Sequence, residues 1–257
     1  KNTPNKLFLA TATNWGNAKT APAYQWLAYS IDVYEPDFTM QTLALQAFEK
    51  DEQGELKQFT LSLLRQADIN IDEIKVDIVP LSNQAKELVF TDSSGNPVPQ
   101  GQVKAVRIHA GHHVQSESGK EAQFFLDLNE ESLGTKQLFW FSPILKEVFG
   151  KGKTMVIDEL DRSLHPFLVQ FLVELFHTPE INQTNAQLIF TTHDTTLLSL
   201  DTFRRDQIYF VEKDPHTAAT ELYSLDEFSV RKNENIEKGY LLGRYGAIPY
   251  LRPEGGL

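Results

Sequence analysis

One stretch constrains the fold more than any other. Over residues 153–166 the short apolar run Met155, Val156, Ile157 is followed by three acids, Asp158, Glu159 and Asp161, and then by Pro166. An apolar run of this length, bounded by polar residues, reads as a strand buried on both faces, as in the middle of a parallel sheet. Proline lacks an N–H and its fixed φ suits the first helical position, so Pro166 predicts a helix start. Leu168, Phe171, Leu172, Leu175 and Phe176 continue at helical spacing. The unit is therefore strand, acidic turn, helix. Open α/β sheets bind ligands at the C-terminal ends of their strands, which is where these acids fall. Solvated acids at an ordinary strand end give the same local pattern, so two further stretches decide between the readings.

The surrounding sequence has the same texture. A helix is predicted over Ser132–Val148, with Leu138, Phe141, Leu145 and Val148 on one face and a kink at Pro143. Strands are predicted over residues 153–159, Gln187–Thr192 and Gln207–Val211, with a helix over 166–177 between the first two. Strands alternating with helices argue for a mostly parallel sheet flanked by helices. A short return strand, Thr220–Ser224, and a helix over Glu234–Leu242 follow, then a turn-rich tail from Gly243 to Tyr250.

The N-terminal part reads differently. Residues 1–50 have helical patterning, with Asn17 as a cap and Tyr24, Trp26, Leu27 and Ile31 as one apolar stripe. Leu56, Phe59, Leu63 and Leu64 mark another helix. From Ile69 to Ile78 the apolar residues alternate in part, which suggests a strand, and Ser93–Asn96 reads as a turn. Further strands are predicted over Val103–Ile108 and Phe124–Leu128, with His112, His113 and the run to Lys120 as a loop. The division is a helical subdomain over 1–82 and an α/β lobe over 83–257.

Composition narrows the classes. The 257 residues contain no cysteine, which excludes disulfides and thiolate metal sites. No apolar run approaches the ~18 residues of a membrane span, and residues 1–6 do not read as a signal peptide. A cytoplasmic protein without membrane association is expected. The net charge of −11 argues against a broad nucleic-acid surface, leaves room for a local basic groove, and favours protein partners.

The second stretch is Glu130-Glu131-Ser132-Leu133-Gly134-Thr135. A helix starting at Ser132 leaves backbone N–H groups unpaired at its positive end, where an anion binds readily and glycine allows close approach. Ser132 also suits plain N-capping. The third stretch is Phe190-Thr191-Thr192-His193-Asp194. In a parallel sheet, a histidine one βα unit beyond Glu159 is expected at the same sheet edge as the acids.

Taken in order, these stretches resemble the C-terminal half of an ABC/SMC-type P-loop ATPase head. The wider wording (Asp158-Glu-Leu-Asp161, Ser163-Leu-His165-Pro166, Arg205-Asp-Gln-Ile208, Phe210 to Asp214, Gly243 to Pro249) is similar to the bacterial AAA-family ATP-binding proteins of the abortive-infection and restriction-linked type. The resemblance implies ATP and Mg2+ as cofactors and an ATP-hydrolysing head in anti-phage defence. Ser132 and Gly134 match its signature motif, Asp158 the magnesium-associated Walker B acid, and Glu159 the general base. Asp161 matches the D-loop residue and His193 the switch histidine. It also implies a homodimer or higher oligomer through shared ATP sites, and a protein effector, a nuclease or toxin. Thr135 stands where transporters carry a second glycine, which argues against a transporter.

The chain has no match to G-x-x-x-x-G-K-[ST]. Gly152-Lys153-Thr154 only mimics its end, because Glu147 replaces the first glycine and the triplet precedes a strand rather than following one. The chain is expected to be the C-terminal portion of a longer protein, inactive without the missing Walker A lobe. Two other classes remain. One is a metal-dependent hydrolase or nuclease built from Asp158, Glu159, Asp161, His165 and His193. The other is a non-catalytic docking module.

Overall fold

The computed structural model describes residues 7–35, 38–80, 104–115, 121–231 and 234–249; the turn read at Ser93–Asn96 lies outside them. The chain divides into two compact units, Lys1–Thr192 and His193–Leu257. The first contains α1 (Phe8–Asn14), α2 (Ala21–Tyr29), β1 (Ile31–Tyr34), α3 (Phe38–Glu49), α4 (Glu55–Gln66), β2 (Glu73–Pro80), β3 (Lys104–Gln115) and β4 (Glu121–Asp127). It continues with α5 (Leu133–Lys151), β5 (Thr154–Ile157), α6 (Pro166–His177) and β6 (Gln187–Phe190).

The apolar run is the centre of a three-stranded parallel sheet in the order β1-β5-β6. Met155 and Ile157 are each 1% exposed, as a central strand requires. Ile31 does not continue the stripe of α2. That helix ends at Tyr29, and Ile31–Tyr34 pairs with Thr154–Ile157. A four-residue strand is too short for period-two alternation to separate it from the helix before it. One face of this sheet is open at its outer strands. Val33, Val156 and Ile189 lie in register across the three strands, with Val33 72% and Ile189 57% exposed and Val156 half-buried between them. Parallel sheets are normally covered on both faces.

Helix α5 is the hub of the first unit. Leu138, Phe141, Leu145 and Val148 are buried as predicted, and so are Phe139, Trp140, Ile144 and Phe149. The helix packs against α3 and α4, with Phe48 stacked on Phe139 at 4.6 Å. Pro143 has no N–H for the carbonyl of Phe139, and α5 nevertheless runs on to Lys151. The Ser142 hydroxyl donates to that carbonyl at 2.7 Å, and the Thr60 hydroxyl lies 2.7 Å from Ser142. The acceptor exposed by proline is thus satisfied inside the core.

A second sheet, β2-β3-β4, is antiparallel. His112 and His113 are not in a loop: both lie on β3, paired with Phe124 and Gln123 of β4. Glycine at 111 has a steric reason, since a Cβ there would sit 2.7 Å from the Phe125 ring and 3.0 Å from the Glu73 Cβ.

Gly152 ends α5 in the left-handed conformation, φ +63°, so the Gly152-Lys153-Thr154 triplet is a helix stop followed by β5. Lys153 pairs with Asp32 of β1 at 2.7 Å and with Glu147 of α5 at 2.9 Å. Burial disfavours its charge, yet hydrogen bonds to both carboxylates outweigh that and push its pKa up to about 12. Burial, then the charges of Asp32 and Glu147, raise the neighbouring Tyr34 phenol to about 12 as well.

The second unit holds β7 (Tyr209–Lys213), β8 (Thr220–Ser224) and α7 (Ile236–Leu241). Gln207 belongs to a 3-10 turn, Arg205–Gln207, rather than to the strand. Phe210, Leu225, Ile236 and Tyr245 form its core with Ile208 and Val230. The glycine-rich tail is built for this core. The Tyr245 ring lies where a Cβ on Gly239 would be, and Gly243 and Gly246 take φ of +76° and +70° around it. No helix of the described residues is long and apolar enough to cross a membrane.

Lys153→Met should lower stability by about 1–3 kcal/mol, because it removes the cation beside partly buried Asp32 and one of the two lysines on Glu147. It should leave nucleotide affinity unchanged, because Lys153 is a structural clamp. Urea unfolding and ligand titration of the intact protein check both; lost affinity at unchanged stability contradicts the assignment.

Candidate functional site

The turn between β5 and α6 is anchored by two leucines, Leu160 at 2% and Leu164 at 9% exposure, with the polar residues between and around them. Pro166 opens α6 as predicted. The buried face of α6 is set by Val169, Leu172, Val173 and Leu175, while Leu168, Phe171 and Phe176 are half-buried. Glu159 has φ +53° and Ser163 φ +63°. Non-glycine residues in that region carry strain of about 1–3 kcal/mol each, and the surroundings must hold them there.

For Glu159 the hold is Thr191, one residue past β6. The Thr191 hydroxyl accepts from the Glu159 N–H at 2.8 Å and donates to Asp158 Oδ1 at 2.5 Å. Its carbonyl accepts from the Leu160 N–H at 3.0 Å, and its N–H donates to the Ile157 carbonyl at 3.0 Å. One residue therefore fixes a carboxylate, the strained backbone beside it and the strand end. Sequence reasoning placed Thr191 only within a motif and gave the function there to His193. The available signal was a hydroxyl residue ending a strand in register beside an Asp-Glu pair.

The start of α5 lies against the same turn. An ideal Cβ on Gly134 would be 3.6 Å from the Ser163 carbonyl and 3.6 Å from Leu168, ordinary contact distances. Ser132 is the N-cap: its hydroxyl accepts from the Thr135 N–H at 3.1 Å and lies 2.8 Å from the Thr135 hydroxyl. The first helical bond is Lys136 N–H to the Ser132 carbonyl. The N–H groups of Leu133 and Gly134 precede it and have no helical acceptor.

Glu131 stands just before the cap, and its side chain is only 11% exposed. It lies 2.6 Å from His112 Nε2. It is a paired group inside the unit.

Asp158 is exposed, and its Oδ2 accepts no hydrogen bond from the described residues. One available carboxylate oxygen suits Mg2+, which keeps several waters and takes its other ligands from phosphate. It does not suit a protein-only metal cage. Among the described residues no three His, Asp or Glu side chains are grouped to hold a metal. His165 instead caps α6, its Nδ1 accepting from the Phe167 N–H at 3.2 Å.

Asp158, Glu159, Asp161, Ser132 and Gly134 all lie in the first unit. His193 is exposed and opens the second. Beside it Asp194 caps a 3-10 turn, accepting from the Thr196 N–H at 2.9 Å.

The family model described as "AAA domain, putative AbiEii toxin, Type IV TA system" matches residues 37–199. The chain belongs to this AAA-domain family. The match runs from α3 through the start of α5 and the acidic turn to the 3-10 turn after His193. This identifies a P-loop type α/β ATPase domain linked to abortive infection and toxin–antitoxin systems. The parallel sheet with its flanking helices agrees with that fold. No curated protein matches the chain.

If Thr191 holds the AAA-domain turn, Thr191→Val should slow ATP hydrolysis by the intact protein by about 10- to 100-fold, the scale of a displaced catalytic group. Thr191→Ser keeps the hydroxyl and should retain most activity. Both variants should unfold within about 1 kcal/mol of the parent, since water replaces the exposed bonds. Equal activity of the Val and Ser variants contradicts the assignment.

Proposed function

We propose that this chain forms the lobe of an ABC/SMC-type ATPase head that carries the signature, Walker B, D-loop and switch motifs. Two such heads share ATP, and their closure and opening control an effector, a nuclease or toxin, in abortive infection. The observation that carries this reading is the locked turn, with Asp158 presented outward, Glu159 held beside it by Thr191, and the start of α5 against the same turn. The exposed Val33 and Ile189 on the outer strands are compatible with a lobe that packs against further structure, where the resemblance places the phosphate-binding loop.

In this reading each group has one task. Asp158 holds magnesium through its outward oxygen. When bound, magnesium neutralises charge on the transferring phosphate. Glu159 takes the proton of the attacking water. The N–H groups of Leu133 and Gly134 face the terminal phosphate held by the opposite head, because the Ser132 hydroxyl is already engaged with Thr135. Asp161 has the D-loop role and His193 the switch-histidine role that the resemblance implies. In this reading the head works in the cytoplasm.

Glu159→Gln in the intact protein should bind ATP normally and hydrolyse it about 10²–10⁴-fold more slowly. Sedimentation should then show tighter association with ATP–magnesium than without it. Ser132→Arg in that background should abolish the gain, since the longer side chain fills the space meant for phosphate. Undiminished turnover in Glu159→Gln, or association indifferent to nucleotide, contradicts the proposal.

A further inference from the structure

The antiparallel sheet has no task in the ATPase account, yet one of its side chains reaches the start of α5. His112 of β3 is fixed from two sides. Its ring stacks on Phe124 of β4 at 5.1 Å and 17°. Its Nε2 lies 2.6 Å from Glu131 Oε1, with side-chain exposures of 19% for His112 and 11% for Glu131. Neither group is solvated well enough for this to be an ordinary surface contact, which contributes little. The backbone behind His112 is also constrained, because Gly111 is closely covered by Phe125 and Glu73.

Glu131 joins two capped turns. Before it, Asp127 accepts from the Asn129 N–H at 2.9 Å, and Glu130 accepts from the Asp127 N–H at 3.2 Å. After it, Ser132 caps α5. Between the end of β4 and the first turn of α5, the Glu131 side chain ties the path to β3 by a hydrogen bond. Removing the tie leaves a largely buried carboxylate without its partner and the cap without its lateral support.

We propose that His112 is a positioning residue for the signature end of α5. Acting through Glu131, it holds Ser132 and the N–H groups of Leu133 and Gly134 where the opposite head meets them. The β2-β3-β4 sheet is then the element that supports the start of α5 during head closure. The part of this that concerns closure rests on the shared-ATP reading; the part that concerns the start of α5 does not.

Two measurements on the intact protein separate these parts. Amide hydrogen exchange reads the position directly. In His112→Ala the amides of Thr135 and Lys136, both bonded to Ser132, should exchange about tenfold faster, the scale of one lost buried polar partner, with α6 unchanged. His112→Gln keeps a donor and should restore most of the protection. The second measurement is ATP–magnesium-driven association in the Glu159→Gln background. Adding His112→Ala should weaken it about tenfold while ATP affinity of the single head stays the same, and the pair His112→Ala with Glu131→Ala should lose no more than either change alone. Unchanged exchange at Thr135 and Lys136 overturns the positioning role. So does exchange that rises equally in α6, which marks general destabilisation. If exchange responds as stated but the Glu159→Gln parent does not associate with ATP, the positioning role stands and the shared-ATP reading falls. If the parent associates and His112→Ala does so equally well, the link from the sheet to closure is overturned.

Discussion

A single hydroxyl organises the candidate site. Thr191 sits one residue beyond β6, and parallel pairing with β5 brings it level with the acids that follow Ile157. From there it both accepts from the Glu159 N–H and donates to the Asp158 carboxylate. The left-handed backbone at Glu159 is unfavourable by itself. The Thr191 bonds and the burial of Leu160 keep it in place. Without the strand pairing neither acid has a defined direction. With it, one carboxylate points outward and the next residue is fixed in a conformation that an isolated turn seldom adopts.

The same economy runs through the rest of the first unit. Helix α5 is buried on most of its surface in the middle and exposes its ends. Its C-terminal end is clamped to the parallel sheet, since Lys153 joins Glu147 of α5 to Asp32 of β1. Its N-terminal end lies against the acidic turn at Gly134 and reaches the antiparallel sheet through Glu131. A well-packed helix of this kind transmits a displacement at one end to the other, because its core contacts are not continuously deformable. The sheet face left open by Val33 and Ile189 is the one large departure from a finished α/β layer among the described residues.

Much of this was legible in the sequence where a pattern was long or chemically distinctive. The apolar run before Asp158 gave β5, Pro166 gave the start of α6, and Ser132 with the 3.6-residue period gave α5. Parallel pairing of β5 with β6 followed from the alternation of elements, whereas β7, read as part of the same series, pairs antiparallel with β8. Features that depend on distant partners were not legible. Ile31–Tyr34 carries too few residues to announce a strand, and its place was decided by pairing with β5. The two histidines on β3 looked like loop residues because they are polar and precede a polar run, whereas cross-strand pairing with Phe124 and Gln123 put them in a sheet. Glu131 looked like a surface acid for the same reason. Thr191 is undistinguished in one dimension and central in three, and nothing short of the β5–β6 register could have shown it.

The shared-site claim can be tested with two variants that each lack a different half. A chain carrying Ser132→Arg keeps its acids and loses the face offered to the opposite head. A chain carrying Asp158→Ala keeps that face and loses its magnesium acid. The most direct measurement is the ATPase rate of the intact protein with the two variants mixed, alongside each alone. The account predicts negligible activity for each variant by itself and recovery in the mixture, where a mixed dimer contains one complete site. A mixture that stays inactive while mixed dimers demonstrably form contradicts it.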